Sequence, residues 1–121
     1  MKTIAVAFAG LVMASLAYAG EELSADAVKQ LISGNTAHTY LNGIEFKNHF
    51  AADGKLYRQM DGAITEGTWE VKNNGLHCVG GGVPNSCAKI VKNDDGTYDR
   101  LNPRTGQAGA RWLKIVEGKD F

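Results

Sequence analysis

The fold is decided by residues 36–62, TAHTYLNGIEFKNHFAADGKLYRQMDG, in which short β-type runs are separated by turn dipeptides. Within these runs apolar and polar side chains alternate, so that Ile44, Phe46 and Phe50 are interleaved with charged or polar residues. An alternation with a period of two indicates strands that have one apolar face and one polar face. The Asn-Gly and Asp-Gly pairs favour the tight turns that join antiparallel strands. The segment therefore predicts consecutive β-hairpins.

The same pattern continues towards the end of the chain. Turn pairs recur at Asn42-Gly43, Asp53-Gly54, Asp61-Gly62, Asn74-Gly75 and Asp95-Gly96. The runs between them predict about eight strands, over 36–41, 44–50, 55–60, 67–72, 75–80, 87–92, 97–101 and 110–116. Antiparallel strands of similar length need their edges covered, and curling into a barrel covers them. We predict an all-β domain folded as a small up-and-down barrel, with a strongly curved open sheet as the alternative.

One short helix is predicted before the strands, over residues 24–33. Ser24 is a good N-cap, and Gly34 stands where a left-handed residue commonly ends a helix. Apolar residues at helical spacing form one stripe, which we expect to pack against the end or flank of the strands as core; they are Ala27, Val28, Leu31 and Ile32.

The large apolar residues of the strands roughly suffice in number to fill a small barrel. They are Phe46, Phe50, Leu56, Met60, Trp69, Val71, Ile90, Leu113 and Ile115. Small eight-stranded barrels are largely filled by their own side chains. The sequence therefore does not indicate a spacious apolar pocket, but it leaves open whether the barrel has a cavity and which face of its strand Trp112 occupies.

Residues 1–19, MKTIAVAFAGLVMASLAYA, predict a signal peptide. Lys2 provides the positive end, an apolar run follows, and Ala17-Tyr18-Ala19 has the small-x-small form of a cleavage site. The remaining residues 20–121 have the size of one small domain. We therefore expect a periplasmic or secreted protein, and no membrane insertion of the mature chain.

Charge and cysteine content limit the partners of this domain. Residues 20–121 contain 12 Lys and Arg against 13 Asp and Glu, a balance that argues against a nucleic-acid partner. The two cysteines, Cys78 and Cys87, are close in sequence, and in an oxidising compartment such a pair predicts a disulfide. We expect this bond to close a hairpin at its base.

No residue pattern indicates catalysis. His38, His49 and His77 lie on different predicted strands without metal-ligand spacing, and we interpret them as scattered surface residues. Ser86 lacks a nucleophile context, and Gly80-Gly81-Gly82 lacks the ending of a phosphate loop. We therefore predict no enzyme, no cofactor and no metal.

A loop and one aromatic side chain are the predicted contact surface. The loop between the cysteines contains Gly81, Gly82, Val83, Pro84 and Asn85, and we expect it to be exposed and held at its base by the disulfide. Loops on rigid β scaffolds commonly carry recognition. Tyr57 should face outward if Leu56 and Met60 face inward, and exposed aromatic residues often anchor partners.

Several short motifs occur together in order along residues 23–100. They are Leu31-Ile32-Ser33-Gly34-Asn35-Thr36, Phe50 followed by Asp53-Gly54, Glu66-Gly67-Thr68-Trp69, and then Cys78 and Cys87. The chain thereby resembles a family of small exported proteobacterial proteins of unknown function, which share the pattern LSGNT…YF..DG…GTW…C…C. The resemblance implies export, a disulfide and a small β-rich domain, and it supplies no catalytic residue.

Two functions remain after these exclusions. The first is a non-enzymatic module that binds an envelope protein or serves it as an accessory. The second is a small carrier, similar to a lipocalin or avidin, that holds a small ligand. A buried cavity above roughly 300 Å³ with polar groups inside would favour the carrier. A filled interior together with an exposed apolar patch would favour the protein-binding module.

Overall fold

The computed structural model describes residues 20–121 of the chain, so the predicted signal peptide lies outside the described residues. Within residues 20–121 the elements are one helix and nine strands. They are β1 (Glu21–Glu22), α1 (Ala25–Ile32), β2 (Asn35–Leu41), β3 (Ile44–Phe50), β4 (Lys55–Met60), β5 (Ala63–Val71), β6 (His77–Gly80), β7 (Ser86–Lys92), β8 (Tyr98–Leu101) and β9 (Ala108–Val116).

Strands β2 to β9 form a closed antiparallel barrel. Each pairs with the next in sequence, and β9 returns to pair with β2, with Trp112 opposite Thr39. All eight predicted strands are present, and the barrel, not the open sheet, is the architecture. The predicted start of one strand was too late: residues 67–72 were predicted, whereas β5 begins at Ala63. The prediction also missed β1, which pairs with Val91 and Lys92 of β7. These two residues lie beyond the stretch of β7 that pairs with β6.

The helix closes one end of the barrel. Ser24 caps α1 as predicted, since its hydroxyl accepts a hydrogen bond from the Ala27 amide at 3.2 Å. Val28 and Ile32 are fully buried and contact the barrel core, so the predicted apolar stripe is confirmed. Because α1 leads directly into β2, it covers the end of the barrel where β2, β4, β6 and β8 begin. We call this the closed end.

The core is concentrated near the closed end. Its buried members are Val28, Ile32, Ala37, Phe50, Leu56, Val83, Ile90 and Trp112. Phe50 and Trp112 lie with ring centroids 5.8 Å apart, a distance typical of aromatic packing. The sequence left the side of Trp112 open, and the structure places it inside the barrel, fully buried.

An irregularity in β9 explains why Trp112 was hard to place. The register with β2 shifts between Trp112 and Lys114, so that Trp112 opposes Thr39 while Ile115 opposes Ala37. Both of these β2 residues are buried. A bulge breaks the alternation of a strand, and here it turns Trp112 and Ile115, three residues apart, towards the core. Leu113, a predicted core residue, lies at the bulge and is only partly buried.

The last residues of the chain lie against the outside of β2 and β3. The Thr36 hydroxyl donates to the Gly118 carbonyl at 2.7 Å, and His38 Nε2 is 2.6 Å from Asp120 Oδ2. His49 is buried beneath this segment, with its Nδ1 3.2 Å from the Thr36 hydroxyl. Burial and the nearby charge of Lys119 lower the pKa of His49.

Across residues 20–121, no helix is both long enough and apolar enough to cross a membrane.

Candidate functional site

A cavity opens at the end of the barrel opposite α1. Its volume is about 410 Å³, and its lining comes mainly from the ends of β2, β4 and β8 and the beginnings of β3, β7 and β9. These strand ends lie at the same end of an up-and-down barrel, which we call the open end, and the lining reaches inward from there to His77 and Trp112. The sequence did not indicate this cavity and left open whether the barrel would contain one.

Small side chains leave the open end unfilled. The wall contains Thr39, Ser86, Ala88, Gly109 and Ala110, whereas the closed end holds phenylalanine, leucine and isoleucine. Interior positions of a small barrel must be occupied by large side chains if the barrel is to be solid. At this end the sequence places small side chains instead. Phe46 on the wall gives the cavity an aromatic surface, whereas Trp112 borders the cavity deeper in the barrel and is fully buried.

Two arginines line this cavity. Arg58 on β4 is opposite Asn48 of β3, and its Nε donates a hydrogen bond to Asn48 Oδ1 at 2.9 Å. The Arg58 guanidinium also lies over the Phe46 ring, 4.9 Å from its centroid, a cation–π distance. Burial lowers the pKa of Arg58.

Arg100 on β8 is held more rigidly than Arg58. Its Nε donates to His77 Nδ1 at 3.2 Å, and its Nη1 donates to the Ser86 hydroxyl at 2.9 Å. Its Nη2 donates to the carbonyls of His77 and Ser86, at 3.0 and 3.3 Å. Arg100 thus connects β8 to β6 and β7. Burial and the positive charge of Arg58 lower the pKa of Arg100 to about 10, so the guanidinium is still charged at neutral pH.

His77 lies at the inner end of the cavity in its neutral form. Its Nδ1 accepts from Arg100, so the remaining ring proton is on Nε2, which is buried without a hydrogen-bond partner among residues 20–121. Its ring is nearly perpendicular to those of Phe50 and Trp112. Burial and the charge of Arg100 hold the pKa of His77 well below its usual value.

The expectation of three scattered surface histidines is therefore wrong for two of them. His77 is inside the barrel, and His49 is covered by the last residues of the chain. Only His38 is partly exposed on the outer wall, beside Asp120. Within the described part of the chain, no group of three or more His, Cys, Asp or Glu side chains is arranged to hold a metal ion.

No carboxylate shares the cavity with the two arginines. Among the described residues, the lining contains neither Asp nor Glu. Asp99 is next to Arg100 in sequence, but successive side chains of a strand point to opposite faces. Asp99 pairs instead with Arg111 outside the barrel, where Arg111 Nε is 2.7 Å from Asp99 Oδ1. This hydrogen bond and the charge of Asp99 raise the pKa of Arg111.

The disulfide joins β6 and β7 beside the open end. Cys78 and Cys87 are opposite each other in the register and are bonded, as the sequence predicted. The bond lies below the loop of residues 81–85, so it closes this hairpin at its base. A shallower depression of about 520 Å³ lies next to it and includes Gly81 and Asn85.

The predicted contact loop is exposed except at Val83. Gly81, Gly82, Pro84 and Asn85 are exposed, but Val83 is buried and belongs to the core. Val83 packs over Gly67, where an added Cβ would lie 2.6 Å from the Gly80 carbonyl oxygen. Because Gly67 leaves this space, the loop folds inward at Val83. Val83 therefore cannot serve as a partner contact in this conformation, and contact by its neighbours stays a prediction.

Tyr57 lies on the outer face of β4, as predicted, but it is half-buried. Its ring stacks on His49 with centroids 6.3 Å apart, and Lys119 Nζ lies 5.0 Å from the ring centroid. The last residues of the chain therefore cover part of the surface that Tyr57 would offer to a partner.

The sequence analysis did not identify Arg58 or Arg100 as site residues, although the alternation of inward and outward side chains along its strand indicates Arg58. If Leu56 and Met60 face inward, then Arg58 between them also faces inward. A charged residue on the apolar face of a strand is the signal that was available.

Resemblance to a family of small exported proteins stays a prediction. No protein-family model, curated protein or solved structure matches the chain.

Proposed function

We propose that the protein binds a small organic molecule in the open end of its barrel, as a lipocalin-like carrier would. The observation that supports this most is the cavity of about 410 Å³ inside a barrel that α1 closes at the other end. Ligand sites of 300–1,000 Å³ typically combine apolar walls with a few placed polar groups. Leu41, Phe46 and Pro84 would supply the apolar surface, and Asn48 and the two arginines the polar groups.

We also propose that the protein binds its ligand without catalysing a reaction. Polar side chains at the inner wall are held by one another: Arg100 by His77 and Ser86, and Arg58 by Asn48. His77 is neutral, and its Nδ1 already accepts a hydrogen bond, so it is poorly placed to remove a proton from a ligand.

The proposal also includes export with cleavage after Ala19, which rests on the Ala17-Tyr18-Ala19 signature and on the disulfide. N-terminal sequencing of protein recovered from the cell envelope would then begin at Gly20. A chain that keeps Met1 and free thiols at Cys78 and Cys87 would contradict export.

The direct test of ligand binding is to identify what the protein carries. The mature chain would be purified from its native compartment without denaturation, and small molecules released from it would be analysed by mass spectrometry. The matched control is Ala88→Phe, which places a large ring on the cavity wall. A molecule released by the wild type and absent from the variant supports the proposal. A wild-type protein that releases nothing and binds nothing in a broad screen of small molecules contradicts it.

A protein partner is the second candidate, favoured by apolar side chains at the hairpin tips. Ile44 and Ile64 are 50% and 55% exposed, next to the β2–β3 and β4–β5 turns of the open end. Affinity capture of an envelope protein by the wild type, but not by Ile44→Ser/Ile64→Ser, would support this function. Equal recovery by both proteins would count against it.

A further inference from the structure

We propose that the ligand of the cavity is a small amphipathic anion, whose carboxylate, sulfonate or phosphate group binds between Arg58 and Arg100 while an apolar body rests against Leu41 and Phe46. This inference depends on the proposed function, because it names the class of molecule that the cavity would hold.

The first support is an uncompensated charge. Two guanidinium groups face one cavity, and its described lining contains no Asp or Glu. The carboxylate closest in sequence, Asp99, is outside the barrel with Arg111. Charged groups taken out of water without a counter-ion are strongly unfavourable, and buried charges in proteins are normally paired. An anion that enters the cavity would supply the missing partner for both arginines.

The second support is the free hydrogen-bonding capacity of these groups. Arg100 has five N–H donors, and four contacts to neutral oxygen or nitrogen acceptors leave one Nη1 proton without a partner. Among residues 20–121, Arg58 uses only Nε in a hydrogen bond, so its two Nη groups remain available. Asn48 accepts from Arg58 through Oδ1, which leaves its side-chain N–H donors. The cavity therefore offers donors to a ligand oxyanion, and guanidinium groups bind carboxylate and phosphate oxygens well.

The third support is the apolar part of the lining. Phe46 is aromatic, and Leu41, Val79 and Pro84 add aliphatic surface, whereas Trp112 borders the cavity but is fully buried. A free inorganic anion would leave this surface in contact with water. The lining therefore fits a molecule that has an apolar body as well as a charged group.

The test compares two probes of the same shape that differ in charge. Naphthalene-2-carboxylate is an anion, and naphthalene-2-carboxamide is its neutral counterpart. Both would be titrated into the mature, oxidised protein and followed by NMR, with the Arg Nε–H and Trp indole signals as reporters, and inorganic phosphate would be the third probe. We expect the carboxylate to bind between about 10- and 100-fold more tightly than the amide, since hydrogen bonds to charged groups are the stronger class.

The matched variants are Arg58→Gln and Arg104→Gln. Each removes one positive charge at the open end, but only Arg58 lines the cavity. We expect Arg58→Gln to weaken carboxylate binding about tenfold or more and to leave amide binding unchanged, whereas Arg104→Gln changes neither. Arg58 is preferred to Arg100 because it is less buried, and an NMR spectrum of each variant confirms that the barrel is intact.

The outcomes separate this inference from the proposed function. Equal binding of both naphthalene probes, with reporter shifts inside the cavity, overturns the anion inference and leaves a ligand-binding barrel. If inorganic phosphate binds as tightly as naphthalene-2-carboxylate, the apolar body contributes nothing to binding, and the inference of an amphipathic ligand is overturned. If no probe binds, the charge of the molecule recovered from the native protein decides: an anion supports the inference and a neutral or cationic molecule overturns it. Recovery of no molecule at all contradicts both proposals.

Discussion

The two ends of the barrel are built from different side chains although the same eight strands run through both. At the closed end, Phe50, Leu56 and Ile90 meet Val28 and Ile32 of α1, and all five are fully buried. At the open end, alanines, a glycine and a serine line the wall, and the large side chains include two arginines. The strands give the barrel its shape, and the size of the inward residues decides which end is solid. Stability should therefore depend mainly on the closed end and ligand binding on the open end.

The largest difference between the ends is expected for phenylalanine truncation. Phe50→Ala should lower the free energy of unfolding by about 3–5 kcal/mol, because it leaves a cavity in a packed core. Phe46→Ala, on the cavity wall, should cost only about 1.5–3 kcal/mol, since it mainly loses transfer free energy. Urea denaturation of both variants measures this difference. Equal losses would mean that the two ends are packed alike.

The disulfide provides the next largest effect. Replacing both Cys78 and Cys87 with Ser should lower the free energy of unfolding by about 2.5–3 kcal/mol, the loop-closure term for so short a ring. The measurement is denaturation of the double variant beside the wild type with its disulfide intact. The reduced wild type is the control, and it should lose a similar amount of stability. If the double variant were as stable as the oxidised wild type, the pairing of β6 with β7 would not need the bond.

Enlarging one alanine at each end sharpens the comparison. Ala37 is fully buried in the core, and Ala37→Leu should cost about 1–3 kcal/mol through overpacking. Ala110 lines the cavity and is half-buried, so Ala110→Leu should change stability by no more than about 0.5 kcal/mol. The same variant should weaken binding of naphthalene-2-carboxylate. Thermal unfolding and an NMR titration measure the two effects, and a strongly destabilised Ala110→Leu would mean that the cavity is closed in solution.

The smallest effect concerns the pH dependence contributed by His77, which lies where the two ends meet. Its pKa is depressed in the folded barrel, so between the usual histidine pKa and this lower value the unfolded chain binds a proton that the folded chain does not. His77 should therefore make the protein less stable as the pH falls below about 6.5. In His77→Asn the amide oxygen can still accept from Arg100, but the side chain does not titrate. The variant should be less stable at pH 8 and should lose less stability on acidification, measured by denaturation at pH 5 to 8. Parallel pH curves would contradict the burial of a neutral His77.

Much of the barrel could be predicted because its information is local. Turn pairs such as Asn42-Gly43 act within a few residues: Asn42 and Gly43 both have the positive φ that this turn requires, 52° and 83°. Ser24 likewise acts on the first turn of its own helix. These features depend on neighbouring residues alone, so the helix and the eight barrel strands were found from the sequence, although the starts of β5 and β9 were placed too late.

The cavity was missed because it depends on residues that are far apart in the sequence. Whether the open end is filled depends on Thr39, Ala88 and Ala110 together, and these meet only when the barrel closes. The two shifts of register in β9 also break the period of two, so Leu113 was predicted in the core while the side of Trp112 stayed open. Glu21–Glu22 was missed because its pairing with β7 depends on a strand about 70 residues away.

The different anchoring of the two arginines has a consequence for where entropy is lost. Arg100 is fixed by four hydrogen bonds to β6 and β7, so its rotamer freedom is given up when the barrel folds. Arg58 has one hydrogen bond and a ring contact, so more of its freedom remains until a ligand arrives. Immobilising such a side chain opposes association by about 0.5–1.5 kcal/mol. Arg100 is thus a preorganised half of the site, and the ordering cost of binding falls on Arg58.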